Sequence, residues 1–122
     1  MTGRFKSDQW ALILGGSSGF GLAAAKRLAQ GGMSIGVVHR DRRGRLPQVE
    51  AEFEQIRATG AKLVTFNADA LETATQRQIV ARLKDELGEG RVRVLLHSIA
   101  YGNLKPLVSP DADAITGLVL ED

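Results

Sequence analysis

Four glycines in one short run constrain this chain more than any other feature: Gly15, Gly16, Gly19 and Gly21, in the stretch Gly15-Gly16-Ser17-Ser18-Gly19-Phe20-Gly21. Before them, Leu12, Ile13 and Leu14 form an apolar run too short for a helix, so Trp10–Leu14 reads as a buried strand. After Gly21 come the good helix formers Leu22, Ala23, Ala24, Ala25, Lys26 and Arg27. Strand, sharp turn and helix follow one another directly. A helix that starts at such a turn points free N–H groups and the positive end of its dipole at whatever sits there, and phosphate is the usual occupant.

The rest of the chain repeats this alternation. A helix over Gly19–Gln30 carries Leu22, Ala25, Leu28 and Ala29 on one face and ends at Gly31-Gly32. Ser34–His39 is the second strand. Pro47 suits the first turn of a second helix, which turns Val49, Phe53 and Ile56 inward and stops at Gly60. Lys62–Phe66 is the third strand. Glu72–Leu87 is the third helix, with Ile79, Val80, Leu83 and Leu87 as its apolar stripe, and Arg91–His97 is the fourth strand. Apolar strands alternating with helices predict an α/β Rossmann-type fold of three layers: a parallel sheet, right-handed crossovers and helices on both faces. The expected strand order is 3-2-1-4, incomplete on its C-terminal side. Beyond Ala100 the pattern fades, with Asn103–Asp113 reading as loop and Ala114–Glu121 as the start of a helix.

Composition narrows the class of partner. At 122 residues the chain is one domain, residues 1–122, and it contains no cysteine, which excludes a disulfide framework and thiolate metal sites. No metal site is expected. No apolar run reaches membrane-spanning length, and the polar start Met1–Asp8 lacks the apolar core of a signal peptide, so the expectation is a cytoplasmic protein with no membrane partner. A net charge of +2 is too small to argue for nucleic acid, and few aromatics are present to stack bases.

Two phosphate motifs compete for the glycine turn. Gly16 and Gly21 have the spacing of a P-loop, but Leu22 stands where that motif needs lysine. Gly19-Phe20-Gly21-Leu22-Ala23-Ala24 instead fits the dinucleotide fingerprint G-x-G-x-x-A, in its proper place between strand and helix. The run Gly15 to Gly21 resembles the G-x-x-x-G-x-G turn of the short-chain dehydrogenase/reductase family, with Leu14 where the family usually has threonine. The likeness covers Trp10 to about Pro106. It implies an NAD(P)-binding domain in which Gly15, Ser17, Ser18, Gly19, Phe20 and Gly21 face the cofactor.

The tip of the second strand chooses the cofactor. About 25 residues after the first glycine, an NAD enzyme places Asp or Glu to accept from the ribose hydroxyls. This chain has His39 and Arg40, then Arg42 and Arg43. Guanidinium groups bind a 2′-phosphate with charge-assisted bonds, whereas a carboxylate repels it. The reading is NADP(H), with Arg40 as the main contact, Arg42 or Arg43 assisting and His39 alongside. Asp41 either pairs with one of these arginines or binds a ribose hydroxyl.

Two further segments lie at strand ends. Asp69 and Ala70 follow strand three; the resemblance implies that Asp69 accepts from the adenine amino group while Ala70 offers its N–H. The residues alone also allow Asp69 as the N-cap of the next helix. At the end of strand four, His97-Ser98-Ile99-Ala100 replaces the family's usual Asn-Asn-Ala-Gly and is similar to the divergent enoyl-acyl-carrier-protein reductase branch. That branch implies cofactor contacts from Ser98, Ile99 and Ala100 near the nicotinamide, with Tyr101 approaching the substrate. His97 reads as a strand-edge histidine. Gly15-Gly16-Ser17-Ser18-Gly19 also matches a nucleophile elbow, with Asp69 and His97 in the right chain order. In the order 3-2-1-4, however, strands three and four lie about 14 Å apart, too far for Asp69 to orient His97.

The family's catalytic Tyr and Lys are not credible here. Tyr101 and Lys105 have the four-residue spacing, but they come too early, and Gly102, Asn103 and Pro106 favour a loop. No catalytic residue is assigned. The chain therefore reads as the cofactor-binding N-terminal portion of a longer reductase, inactive alone. Its parent would move hydride between nicotinamide and a carbonyl or enoyl substrate, small or acyl-carrier-linked. A homo-oligomer is expected, because strand four leaves an open sheet edge. The competing function is a non-catalytic NADP-binding or regulatory module complete at this length.

Overall fold

The computed structural model describes residues 3–99, in which four strands and three helices alternate. The strands are β1 (Gln9–Leu14), β2 (Ser34–His39), β3 (Leu63–Asn67) and β4 (Arg91–His97). The helices are α1 (Gly19–Gln30), α2 (Leu46–Arg57) and α3 (Thr73–Leu87). The sheet is fully parallel in the order β3-β2-β1-β4, as the alternation predicts. Boundaries differ from the sequence reading by about a residue: β1 begins at Gln9, β3 is shifted to Leu63–Asn67, and Glu72 caps α3 rather than opening it.

Side-chain alternation sorts the layers. Ala11 and Ile13 of β1, with Ile35 and Val37 of β2, face α1 and α2, where they meet Ala25, Ala29, Val49, Phe53 and Ile56. Trp10, Val64 and Val38 face the other way and meet Leu83 and Ile79 of α3. Gly36 leaves room for Leu12 and Leu83, whose Cδ1 atoms would lie 3.3 and 3.4 Å from a Cβ there. β2 is buried along its whole length because it has strands on both edges and helices on both faces.

One apolar assignment is corrected. Val80 lies on the outer side of α3, 55% exposed, while Ile79 and Leu83 alone of its residues are buried. The helix presents a stripe narrower than the sequence reading drew, because a 3.6-residue repeat carries position 80 past the edge of the buried arc. On the edge strand β4, Val94 and Leu96 pack into the α1–α2 side, whereas Val92 and Leu95 on the opposite face are exposed.

This topology makes a crevice. From β1 the chain steps to β2 on one side, and β4 lies against β1 on the other. The chain reaches β4 by crossing back from β3 through α3, so the order of the strands reverses at β1. A parallel sheet takes its ligands at that point of reversal.

Candidate functional site

The glycine turn is built by close contacts. Gly15 has φ +90°, and a Cβ on it would collide with the Ser98 carbonyl, its carbon only 2.8 Å away. The two strand ends are tied by Gly15 N–H to the Val38 carbonyl (2.7 Å) and Ser98 N–H to the Leu14 carbonyl (2.7 Å). Gly21 lets α1 rest on the turn, since a Cβ there would strike the Gly15 carbonyl and lie 3.2 Å from Gly16 Cα. Gly19 differs: it has φ +56° and open space above it.

α1 begins at this turn with nothing of its own closing its end. Ser18, the N-cap, makes no side-chain capping bond, and the first turn holds no acidic residue. The leading N–H groups of α1 therefore open toward solvent at the crevice, where an anion would satisfy them.

Around that helix end lies a crevice of about 490 Å³. The glycine turn contributes Gly15, Ser17, Ser18, Gly19 and Phe20, the last 76% exposed. The tip of β2 contributes Val38, His39, Arg40 and Asp41; the segment after β3 contributes Ala68, Asp69, Ala70 and Leu71; and the end of β4 contributes Ser98 and Ile99. Most residues chosen from the sequence thus converge from four separate segments. Gly21 lies buried beneath the turn rather than lining it. Arg42 and Arg43 are exposed and do not line the crevice, because Arg42 leads into a short 3-10 turn, Arg43–Arg45, that carries them away from it. Ala100, Tyr101 and Lys105 lie outside the described residues.

Three side chains behave differently from the sequence reading. His39 lines the crevice but is 5% exposed; its ring stands edge-on to Phe53 at 5.1 Å, and its Nδ1 lies 2.8 Å from Asp41 Oδ2. Asp69 is not the helix N-cap: its Oδ1 accepts from Leu71 N–H (3.0 Å), and its Oδ2 lies 3.6 Å from Arg40. Asp41 pairs with none of the three arginines offered above: its arginine partner among the described residues is Arg45, at 3.9 Å, and His39 is nearer. Arg45 also lines a second cavity, of about 380 Å³, against Ser17 and Ser18 on the far side of the turn. It was not among the residues picked from the sequence. Its position four residues after Asp41 is the signal that would have found it.

Burial pushes the Asp41 carboxyl up, but hydrogen bonds from Ser17 and His39 and the charges of His39 and Arg45 outweigh it and hold it below its ordinary 3.8. A carboxylate depressed in the folded state stabilises the fold above its unfolded pKa. That contribution is lost as pH falls from 3.8 through the lower folded value. Urea midpoints measured across this acid range will fall more steeply for the wild type than for Asp41→Asn. Equal slopes would remove Asp41 from the balance.

A family model described as short chain dehydrogenase matches residues 9–118. A short chain dehydrogenase of Pseudocercospora fijiensis is 32% identical over 103 residues, covering 84% of this chain and 31% of its own length. A short-chain dehydrogenase/reductase of Hericium erinaceus is 30% identical over 103 residues, covering 84% and 40%. The chain thus spans well under half the length of these curated relatives. Among solved structures, a short chain dehydrogenase of Burkholderia cenocepacia in complex with NADP matches with a TM-score of 0.68 at 25% identity, over 90% of this chain and 43% of that one. A 3-oxoacyl-acyl-carrier-protein reductase of Brucella melitensis in complex with NAD gives 0.63 at 26% identity, over 77% and 34%.

Proposed function

From the premise that this chain belongs to the short chain dehydrogenase family, we propose that it is the NADP(H)-binding part of an oxidoreductase acting on a carbonyl or enoyl substrate. The single observation that carries the reading is the uncapped start of α1 facing a crevice with Arg40 at its rim and no acidic residue in the helix's first turn. When bound, the cofactor supplies the hydride. The N–H groups that open α1 would hold the pyrophosphate, and Arg40 the 2′-phosphate. Asp69 and Ala70 would hold the adenine, and Ser98 and Ile99 would lie toward the nicotinamide.

The residues fit a dinucleotide. Gly19 leaves open space where a phosphate must approach backbone, and the lining runs from polar at the turn to apolar at Val38, Ala70 and Ile99. The sequence Ser98-Ile99-Ala100-Tyr101 supports the enoyl-reductase branch, with an acyl-carrier-linked substrate for the longer protein. The matched proteins carry dehydrogenase and reductase names, which favours an oxidoreductase over a non-catalytic module. We place the protein in the cytoplasm; among the described residues, no helix is long and apolar enough to cross a membrane. We also propose that the protein self-associates: β4 is the outermost of the described strands, and Val92 and Leu95 are exposed on it.

Equilibrium titration with NADPH and NADH tests the cofactor assignment. The expected result is tighter binding of NADPH, by about tenfold or more, the worth of a charge-assisted contact to one phosphate. Equal affinity for the two would defeat the role given to Arg40.

A further inference from the structure

The segment just after β2 places a carboxylate directly beside an arginine meant for an anion. Asp41 follows Arg40 and lines the same crevice. A free carboxylate there would repel a phosphate and offset the attraction of Arg40. Its charge, however, is met from two sides. His39 of β2 approaches Oδ2 at 2.8 Å, and Arg45 approaches Oδ1 at 3.9 Å. Since an ionised carboxylate only accepts, His39 must carry its proton on Nδ1, and its ring is fixed in that orientation by Phe53.

The backbone of Asp41 is held as well. Asn67, the last residue of β3, accepts from Asp41 N–H at 2.9 Å and donates its amide to the Asp41 carbonyl at 3.1 Å. Only an amide side chain supplies acceptor and donor together in this way. The strand-end bond from Ala68 N–H to the His39 carbonyl, 2.8 Å, fastens the neighbouring residue. The chain from His39 to Asp41 is therefore anchored on both sides of Arg40. The Arg40 guanidinium is left outward, 78% exposed, with Asp69 at 3.6 Å as its ion-pair partner.

We propose that His39 and Asn67 are positioning residues for cofactor choice: His39 withholds the Asp41 charge from the crevice, and Asn67 fixes the backbone that presents Arg40 to it. This rests on the NADP(H) reading. The two residues do not touch the 2′-phosphate themselves, and they act on the difference between the two cofactors.

The test is a set of titrations with NADPH and NADH, each variant also being followed by thermal unfolding. His39→Leu removes the donor and frees the carboxylate, so NADPH affinity falls about tenfold while NADH affinity changes by less than about twofold. Adding Asp41→Asn to His39→Leu removes the charge and restores most of the NADPH affinity. His39→Asn, which keeps a donor near the Nδ1 position, retains most of it. Asn67→Ala, an exposed substitution that leaves the core alone, lowers NADPH affinity about fivefold with little effect on NADH. If His39→Leu fails to fold, Asn67→Ala carries the test.

A merely structural role predicts that both cofactors weaken together and that the double variant is not rescued, and either result overturns the proposal. A wild type that prefers NADPH, with variants keeping the same ratio, overturns the positioning role alone. A wild type that does not prefer NADPH overturns the reading beneath it.

Discussion

Gly15→Ala will destabilise the fold by about 3 kcal/mol, and the altered protein will no longer bind a dinucleotide. Two effects combine at this position. An L-residue at φ +90° costs roughly 1–2 kcal/mol. The new methyl must also push aside the Ser98 carbonyl, whose carbon lies 2.8 Å from the Cβ position, and overpacking of this kind costs about 1–3 kcal/mol. The carbonyl cannot yield cheaply, because Ser98 N–H is bonded to Leu14 and Gly15 N–H to Val38. Moving it shifts the ends of β1 and β4 together, and these are the walls of the crevice. For a chain of 122 residues, with an unfolding entropy of about 2.1 cal/mol/K per residue, the thermal midpoint will fall by roughly 12 °C. Gly44→Ala is the control: Gly44 has no atom within 4 Å of its Cβ position and no positive φ, so the midpoint stays within a degree or two, on the order of surface substitutions. Equal midpoints for Gly15→Ala and Gly44→Ala would show that the turn does not depend on the close approach described above.

Arg40→Ala will weaken NADPH binding by about ten- to a hundredfold and NADH binding by no more than about twofold. Arg40 is the arginine of its cluster that lines the crevice, whereas Arg42 and Arg43 are exposed and turned away. Alanine at either of those positions will therefore cost little. Arg40 is held near the crevice by Asp69 at 3.6 Å, an exposed pair that contributes little stability of its own. Loss of Arg40 leaves Asp69 hydrated, so the thermal midpoint will scarcely move while affinity falls. Raising the salt concentration will narrow the gap between NADPH and NADH, because an exposed charge pair is screened. A hundredfold loss on NADPH with an equal loss on NADH would mean that Arg40 serves the pyrophosphate or the fold instead.

The architecture was legible because each level of the sequence agreed with the next. Leu12-Ile13-Leu14 is too short for a helix, Gly31-Gly32 stops α1, and β2 is apolar enough to be buried on both faces. The four segments that meet at the crevice were legible from the strand ends alone. What could not be read was tertiary. His39 appeared beside Arg40 as a second basic residue, yet its ring is spent on Asp41 and Phe53, and Phe53 comes from a helix whose distance from β2 no local pattern gives. Asn67 reaches Asp41 across the β2–β3 pair, which depends on the register of His39 opposite Asn67. Val80 failed for a simpler reason. The four apolar residues of α3 fall within one arc of about 100°, but Val80 lies at its outer margin and is left exposed.

The central claim is that the opening turn of α1 receives the phosphates of a dinucleotide. Backbone amide resonances followed during titration of the full chain with NADPH test it most directly. The account predicts that the amides of Gly19, Phe20 and Gly21 move furthest, and that adenosine, which has no phosphate, leaves them in place. NADPH that shifts resonances elsewhere while these three stay fixed would contradict it.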